Sequence, residues 1–162
     1  MQTRREMLSR SAKVATLLAA VGLIPAISPG LAQAQAQAAG AYNAAAFSAK
    51  TMAELMKSVG GATPTESKDV SITGPDIAEN GAVVPIGAAS TLPGVKRLLI
   101  LVEKNPSMLA AMFDVSDAID ANISTRVKMG QSSNVFAVAM MNDGKVLFAQ
   151  KEVKVTLGGC GG

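Results

Sequence analysis

The feature of this chain that most constrains its fold is a series of short apolar segments, separated by turn residues, that runs from Asp69 onward. Val95–Val102 ends in five consecutive apolar residues, which is typical of a strand buried on both faces. Val135–Met141 is apolar at both parities and is predicted to be a central strand. About seven such strands, with turn signals at short intervals, predict an antiparallel, immunoglobulin-like β-sandwich over residues 69–157.

Four further strands are predicted from alternation and from flanking turn residues: Val70–Thr73, Ala82–Ala88, Leu109–Val115 and Asn122–Met129. The third segment has an alternative, because Ser107–Met112 is equally compatible with a turn of helix. The fourth segment alternates cleanly. Ile123, Val127 and Met129 are therefore expected to face the core, with the polar residues between them facing solvent.

The last predicted strand covers Lys145–Leu157 and follows a hairpin turn at Asn142-Asp143-Gly144. Its apolar residues change parity along the strand, from Val146 and Phe148 to Val153, Val155 and Leu157. Because one face of a strand cannot hold both sets, a bulge or bend is predicted between Ala149 and Glu152. This strand leads directly into the C-terminal residues, so the sandwich is expected to fix the base of the tail.

A single amphipathic helix is predicted before the sandwich, over Asn43–Val59. Lys50, Glu54 and Lys57 fall on one face of this helix. The opposite, apolar face carries Phe47, Met52, Leu55, Met56 and Val59. Asn43 is a suitable N-cap and Gly60-Gly61 is a suitable stop signal.

Residues 1–38 are typical of an export signal. A twin arginine, Arg4-Arg5, precedes a short apolar segment over Val14–Ile27 and overlapping A-x-A cleavage sites within Ala32–Ala38. The apolar segment is shorter than a typical membrane span. We therefore expect twin-arginine export to the periplasm and no membrane attachment after cleavage, with an uncleaved N-terminal anchor as the alternative. Residues 39–157 then form one domain of ordinary size.

Charge and composition exclude several functions for the exported part. The leader holds four of the fifteen Lys and Arg residues and one of the twelve acidic residues, so the remainder has no formal net charge. With no basic stripe and 3% aromatic residues, nucleic-acid binding is not expected. The chain has no histidine, no C-x-x-C and no G-x-S-x-G motif, so it lacks the usual catalytic constellations. Asp114, Asp117 and Asp120 are a weak candidate for calcium, because acidic side chains in a polar loop are more often only solvated.

The only cysteine is Cys160, and two glycines flank it on each side: Gly158, Gly159, Gly161 and Gly162. Glycine has no Cβ, so the stretch is predicted to form a thin, flexible arm. Three interpretations are open, namely an incidental tail, an intermolecular disulfide, and a carrier arm that delivers a group on sulfur to other proteins. The symmetric glycines favour the carrier arm. No cation lies beside Cys160 in the sequence, so partner enzymes are expected to activate its sulfur.

Four stretches resemble the SoxY family, the sulfur-carrier subunits of the bacterial thiosulfate-oxidising (Sox) system: Asp76–Gly81, Val102–Pro106, Ser124–Val135 and Lys151–Gly162. The resemblance covers essentially the whole exported chain, and the terminal Gly-Gly-Cys-Gly-Gly is its most specific element. It implies that Cys160 is the covalent attachment residue for sulfur intermediates and that residues 158–162 form the carrier arm. It also implies that the chain is not an enzyme and holds no metal or cofactor of its own.

The resemblance further implies a set of partners. A SoxZ-like subunit pairs with the carrier as a heterodimer. A haem-containing enzyme couples thiosulfate oxidatively to the cysteine and yields cysteine S-thiosulfonate. A dimanganese hydrolase then releases sulfate, and in some organisms a molybdenum–haem sulfane dehydrogenase oxidises the remaining sulfur. The alternative function is a structural immunoglobulin-like module whose tail cysteine only crosslinks subunits.

Overall fold

In the computed structural model, residues 43–157 are the part of the chain that the structure describes. Within it lie two helices, α1 (Ala44–Ser48) and α2 (Met52–Val59), and nine strands. The strands are β1 (Thr65–Glu66), β2 (Val70–Thr73), β3 (Ile77–Ala78), β4 (Val84–Ser90), β5 (Val95–Val102), β6 (Leu109–Asp114), β7 (Asn122–Val127), β8 (Ser133–Met141) and β9 (Val146–Val155). In this range no helix is long and apolar enough to cross a membrane.

The strands form two sheets. The larger sheet has the order β1-β9-β8-β5-β6, with β3 also paired to β9, and the smaller sheet has the order β2-β4-β7. All pairs are antiparallel except those of β1 and β3 with β9, which are parallel and two residues long. The predicted immunoglobulin-like sandwich is therefore confirmed, with two short parallel strands added at one edge of the larger sheet.

The space between the two sheets is filled by one apolar core, which we call the sandwich core. Alternate residues of three strands supply much of it: Val84, Ile86 and Ala88 of β4, Leu98, Ile100 and Val102 of β5, and Val135, Ala137 and Ala139 of β8. In the smaller sheet, Val127 of β7 is buried in this core and the polar residues between its apolar positions are not. The alternation predicted for that strand is confirmed.

A second core lies on the outer face of the larger sheet, where the two helices pack. Leu99 and Leu101 of β5 are fully buried in this helix-covered core, together with Leu55 and Met56 of α2. Side chains of this size each contribute about 1.5–3 kcal/mol when fully buried. The prediction that β5 is buried on both faces is confirmed, and the helices are the reason.

The bulge predicted between Ala149 and Glu152 is wrong. The pairing of β8 with β9 runs without a register shift from Ser133↔Val153 to Met140↔Val146. The two sets of apolar residues in β9 need not share a face, because each face of the strand has its own core. Val146 and Phe148 near the start of β9 belong to the helix-covered core, and Val153 and Val155 near its end belong to the sandwich core, whereas Leu157 is exposed.

The single helix predicted over Asn43–Val59 is also wrong, because the chain leaves the helical conformation at Ala49 and starts again after Thr51. The Thr51 side chain accepts a hydrogen bond from Glu54 N at 3.2 Å, and Glu54 Oε2 accepts one from Lys50 N at 2.9 Å. Thr51 and Glu54 have the sequence spacing of a capping box, although the Glu54 side chain bonds to the residue before the N-cap and not to the N-cap itself. The outer limits are as predicted, since Asn43 caps α1 and Gly60 ends α2 in a left-handed conformation.

Leu55→Ala is expected to lower the free energy of unfolding by about 2–5 kcal/mol, because its truncation leaves a cavity beneath α2. Lys57→Ala, on the exposed face of the same helix, is the matched control and should change it by less than about 0.5 kcal/mol. Chemical denaturation followed by circular dichroism measures both. Equally small effects in the two variants would mean that the helices add little to the stability of the sheet.

Candidate functional site

The five predicted site residues lie outside the residues that the structure describes: Cys160, Gly158, Gly159, Gly161 and Gly162. The predicted leader, residues 1–38, lies outside them as well. The described chain ends at Leu157, the residue directly before the glycines. The site that the structure provides is therefore the base from which the tail leaves the domain.

A strap of six residues, Asp76–Gly81, runs beside the end of β9 and holds the base of the tail. Thr156 N donates a hydrogen bond to Ala78 O at 3.1 Å, and Gly81 N donates one to Leu157 O at 2.8 Å. These bonds continue the pairing of β3 with β9 beyond the last residue of the strand. The backbone is consequently fixed as far as Leu157, as the sequence led us to expect.

The strap is itself anchored in the domain. The Ala78 side chain is buried in the sandwich core. Thr156 Oγ1 donates to Glu79 O at 3.1 Å, and Met129 N donates to Gly81 O at 2.7 Å. Hydrogen bonds to the end of β9 and to Met129, together with the burial of Ala78, therefore hold the strap in place.

The β7–β8 loop closes the tail base on its other side. Val155 N donates to Ser132 Oγ in this loop at 2.9 Å. The Asn105 side chain fixes the loop in turn, because its Nδ2 donates to Lys128 O at 2.7 Å and its Oδ1 accepts from Gly130 N at 3.2 Å. The Asn105 side chain thus holds the loop in place through two hydrogen bonds to its backbone.

The four stretches that carry the resemblance meet at this one end of the sandwich. They supply, in order, the strap, Asn105, the β7–β8 loop and the end of β9. Residues 77 positions apart in the sequence are hydrogen-bonded here. The sequence did not indicate why the stretches before the tail matter. In the structure, the four stretches together hold the base of the tail.

One ion pair fastens the strap from outside. Lys151 Nζ lies 2.6 Å from Asp76 Oδ1. The hydrogen bond from Lys151 and its positive charge lower the pKa of the Asp76 carboxyl below its usual value. The pair therefore stabilises the fold at pH values above the unfolded pKa of the carboxyl, and this contribution is lost as the pH falls through the lowered pKa. The carboxylate is exposed, so solvent screens the interaction and the fastening is weak.

The opposite end of the sandwich carries the acidic loop considered for calcium. Asp114 is paired with Arg97 at 2.6 Å, and Asp117 and Asp120 line an open cavity of about 720 Å³ between the β4–β5 and β6–β7 loops. Among residues 43–157, no group of three or more Asp, Glu, His or Cys side chains could hold a metal ion. The acidic loop therefore lacks the ligand arrangement of a calcium site.

Exposed apolar side chains concentrate at the tail base, which the sequence did not indicate. Within the described range, four large apolar residues are notably exposed: Ile77 (58%), Val83 (52%), Ile119 (54%) and Leu157 (60%). Three of them belong to the strap, its continuation or the tail base. Ile119 lies at the opposite end.

Comparison with known proteins adds the family. A family model described as "Sulfur oxidation protein SoxY" matches residues 55–160. The solved structure of the sulfur carrier protein SoxY from Chlorobium limicola f thiosulfatophilum is 35% identical with a TM-score of 0.57, and the match covers 64% of this chain and 93% of that chain. No curated protein matches the chain at a significant level.

Two further solved structures match the chain at lower identity. The superoxide reductase (neelaredoxin) from Ignicoccus hospitalis is 14% identical with a TM-score of 0.47, covering 53% of this chain and 79% of that chain. A fibronectin(III)-like module of Clostridium thermocellum CbhA is 20% identical with a TM-score of 0.41, covering 53% and 93%. Neither is similar enough to bear on function. The family match, in contrast, spans most of the chain and includes the strap, the β7–β8 loop and the position of Cys160, and on that basis the chain belongs to the SoxY family of sulfur oxidation proteins.

Proposed function

We propose that this protein is a periplasmic sulfur carrier of thiosulfate oxidation, which holds sulfur intermediates covalently on Cys160 and presents them to partner enzymes. The observation that carries the proposal is that the family match extends to residue 160, which is the only cysteine of the chain. The solved relative is named a sulfur carrier protein. A covalent carrier needs a single nucleophilic attachment group, and a thiol is such a group.

The proposed chemistry takes place on the sulfur of Cys160 and is catalysed by the partners. In the first step the thiol loses its proton and its sulfur bonds to the sulfane sulfur of thiosulfate, and the haem-containing coupling enzyme would accept the two electrons released, one at a time. The product is cysteine S-thiosulfonate. In the second step the hydrolase directs water to the sulfonate sulfur, so that the bond between this sulfur and the next breaks. Sulfate and two protons leave, and one sulfur remains bound to the cysteine. A sulfane dehydrogenase oxidises this last sulfur where the organism has one.

The tail base suits such a role. The strap and the β7–β8 loop hold the backbone up to Leu157, so the attachment group starts from a defined position on the domain. The glycines beside Cys160 carry no side chain that would widen the tail. A narrow tail on a fixed base can present one sulfur atom to several enzymes in turn, and the enzymes then supply the activation that the sequence around Cys160 lacks.

The proposal includes a heterodimer with a SoxZ-like subunit in the periplasm, after export by the twin-arginine pathway. Family membership supports the partner, and the Arg4-Arg5 pattern with the apolar segment behind it supports the export route. The exported part carries no formal net charge, which gives no reason to expect nucleic acid or an anionic membrane as a partner.

Cys160→Ser tests the carrier role directly. Wild-type protein from cells supplied with thiosulfate should show sulfur-containing adducts by intact-mass analysis, whereas the variant should show none and should not support thiosulfate oxidation. The melting temperature should hardly change, because the glycines on both sides of Cys160 offer no side chain for its sulfur to pack against. Wild-type protein found only as free thiol or disulfide dimer would favour the structural module instead of the carrier.

Replacing Gly159 and Gly161 with valine tests whether the glycines serve access to narrow active sites. Valine adds β-branched bulk and restricts the backbone, so turnover by the partner enzymes should fall sharply. A small thiol reagent needs no narrow passage and should label Cys160 at nearly the wild-type rate. Equal losses in both rates would point to altered thiol chemistry, and no loss in either would leave the glycines without this role.

The heterodimer is tested by sedimentation of the native complex. We expect the protein to purify with its partner subunit and to sediment as a one-to-one complex at micromolar concentration under reducing conditions. The reductant removes dimers that form only through Cys160. A monomer alone under these conditions would contradict the proposed assembly.

A further inference from the structure

The position of Leu157 limits how far Cys160 reaches from the domain. The carbonyl of Leu157 is bonded to the strap, and Cys160 follows three residues later. A fully extended chain spans at most about 3.3–3.6 Å per residue, so the Cα of Cys160 lies no more than about 11 Å from that of Leu157. Any enzyme that acts on the sulfur must come this close to the tail base.

So short a tether brings the enzyme into contact with the domain. Enzyme active sites are concave, and the reacting atom lies below the rim of the pocket. When about 11 Å of chain must pass the rim and reach the reacting groups, little distance is left between the rim and the tail base. The residues around Leu157 are therefore the ones that the rim of an acting enzyme meets.

Those residues include the exposed apolar side chains Ile77, Val83 and Leu157, which we call the apolar ring. Ile77 precedes Ala78, whose side chain is buried in the sandwich core, so Ile77 faces away from that core on the larger sheet. Val83 precedes the buried first residue of β4 and is exposed beside the smaller sheet. Leu157 is bonded to Gly81, which lies between the two in sequence. Ile77 and Val83 thus lie four and two residues from Gly81, which is hydrogen-bonded to Leu157 at the tail base.

Polar residues accompany the ring. Asp76 and Glu79 contribute two negative charges, and Lys151 and Lys154 contribute two positive charges. An apolar centre with a polar periphery is the common arrangement of protein–protein interfaces. Because the charges balance, the surface offers apolar contact area and shape rather than a strong electrostatic field.

We propose that Ile77, Val83 and Leu157 form the docking surface for the enzymes that act on Cys160, and that these enzymes carry an apolar rim around the pocket entrance. The inference rests on the proposed function, since only a carrier has such enzymes. Two observations indicate that the partners on this surface are these enzymes, namely the short length of chain beyond Leu157 and the near-neutral charge around the apolar ring. The ring is a binding surface and takes no part in the chemistry.

Ile77→Ser and Val83→Ser test the ring, and Ile119→Ser is the matched control. Ile119 is exposed to nearly the same extent as Ile77 but lies at the opposite end of the sandwich. The substrate is the heterodimer carrying cysteine S-thiosulfonate, and the enzyme is the sulfate-releasing hydrolase. Each ring variant should lower kcat/KM roughly five- to tenfold, mainly through KM, whereas the control should stay at the wild-type value. The rate at which a small disulfide reagent labels free Cys160 should be equal in all four proteins.

The outcomes separate the ring from the carrier function. If wild-type protein is turned over and the ring variants match Ile119→Ser, the ring inference is overturned while the carrier function stands. If the hydrolase does not act on the wild-type adduct, the proposed carrier function is contradicted, and the ring inference, which rests on it, is contradicted as well. Sedimentation of each variant tests whether the SoxZ-like subunit, and not an enzyme, covers this surface. A ring variant that loses its SoxZ-like subunit would assign the surface to the subunit interface and overturn the proposal.

Discussion

The structure depends on the burial of both faces of the larger sheet. Alternate residues of β5 and β8 enter the sandwich core on one side and the helix-covered core on the other, so the smaller sheet and the two helices are equally necessary covers. With 3% aromatic residues, these cores are built mainly from Val, Leu, Ile, Ala and Met. Within the described residues, the aromatic side chains of Phe136 and Phe148 contact each other with ring centroids 5.9 Å apart, and both pack against the helix-covered core. Because side chains pack at crystal-like density, neither cover can be removed without leaving a sheet face open to water.

This burial is what makes a defined tail base possible. β9 is fixed by its long pairing with β8, and the strap is fixed by the entry of Ala78 into the sandwich core. The backbone bonds between the strap and residues 154–157 then carry that order a few residues past the sheet. The bonds are ordinary ones, each with a net contribution of about 0.5–1.5 kcal/mol to the stability of the fold. Their effect on function comes from their position, since they hold the backbone up to Leu157, three residues before Cys160.

Local pattern was enough to predict the central strands, because β5 and β8 are long, apolar and bounded by turn residues. Parity alone could not show that β9 contacts two different cores, and the false bulge followed from assuming a single one. The helix break had a local signal in Thr51 and Glu54, but the apolar stripe continued across it and concealed it. β1 and β3 are two residues long and have no periodicity to detect. The tail base consists of backbone and side-chain hydrogen bonds between residues far apart in the sequence, for which no local pattern exists.

The place of β9 in the larger sheet has a consequence for the synthesis of the protein. Of the described strands β9 is the last in the sequence, yet it lies inside the strand order, paired with β8 over eight residue pairs and with β1 and β3 on its other edge. A chain that stops before β9 would leave β8 with an open edge and both cores incomplete, and unfolded chains are in general substrates for proteases. Folding of the domain therefore requires a chain that has been synthesised through β9, which ends five residues before Cys160.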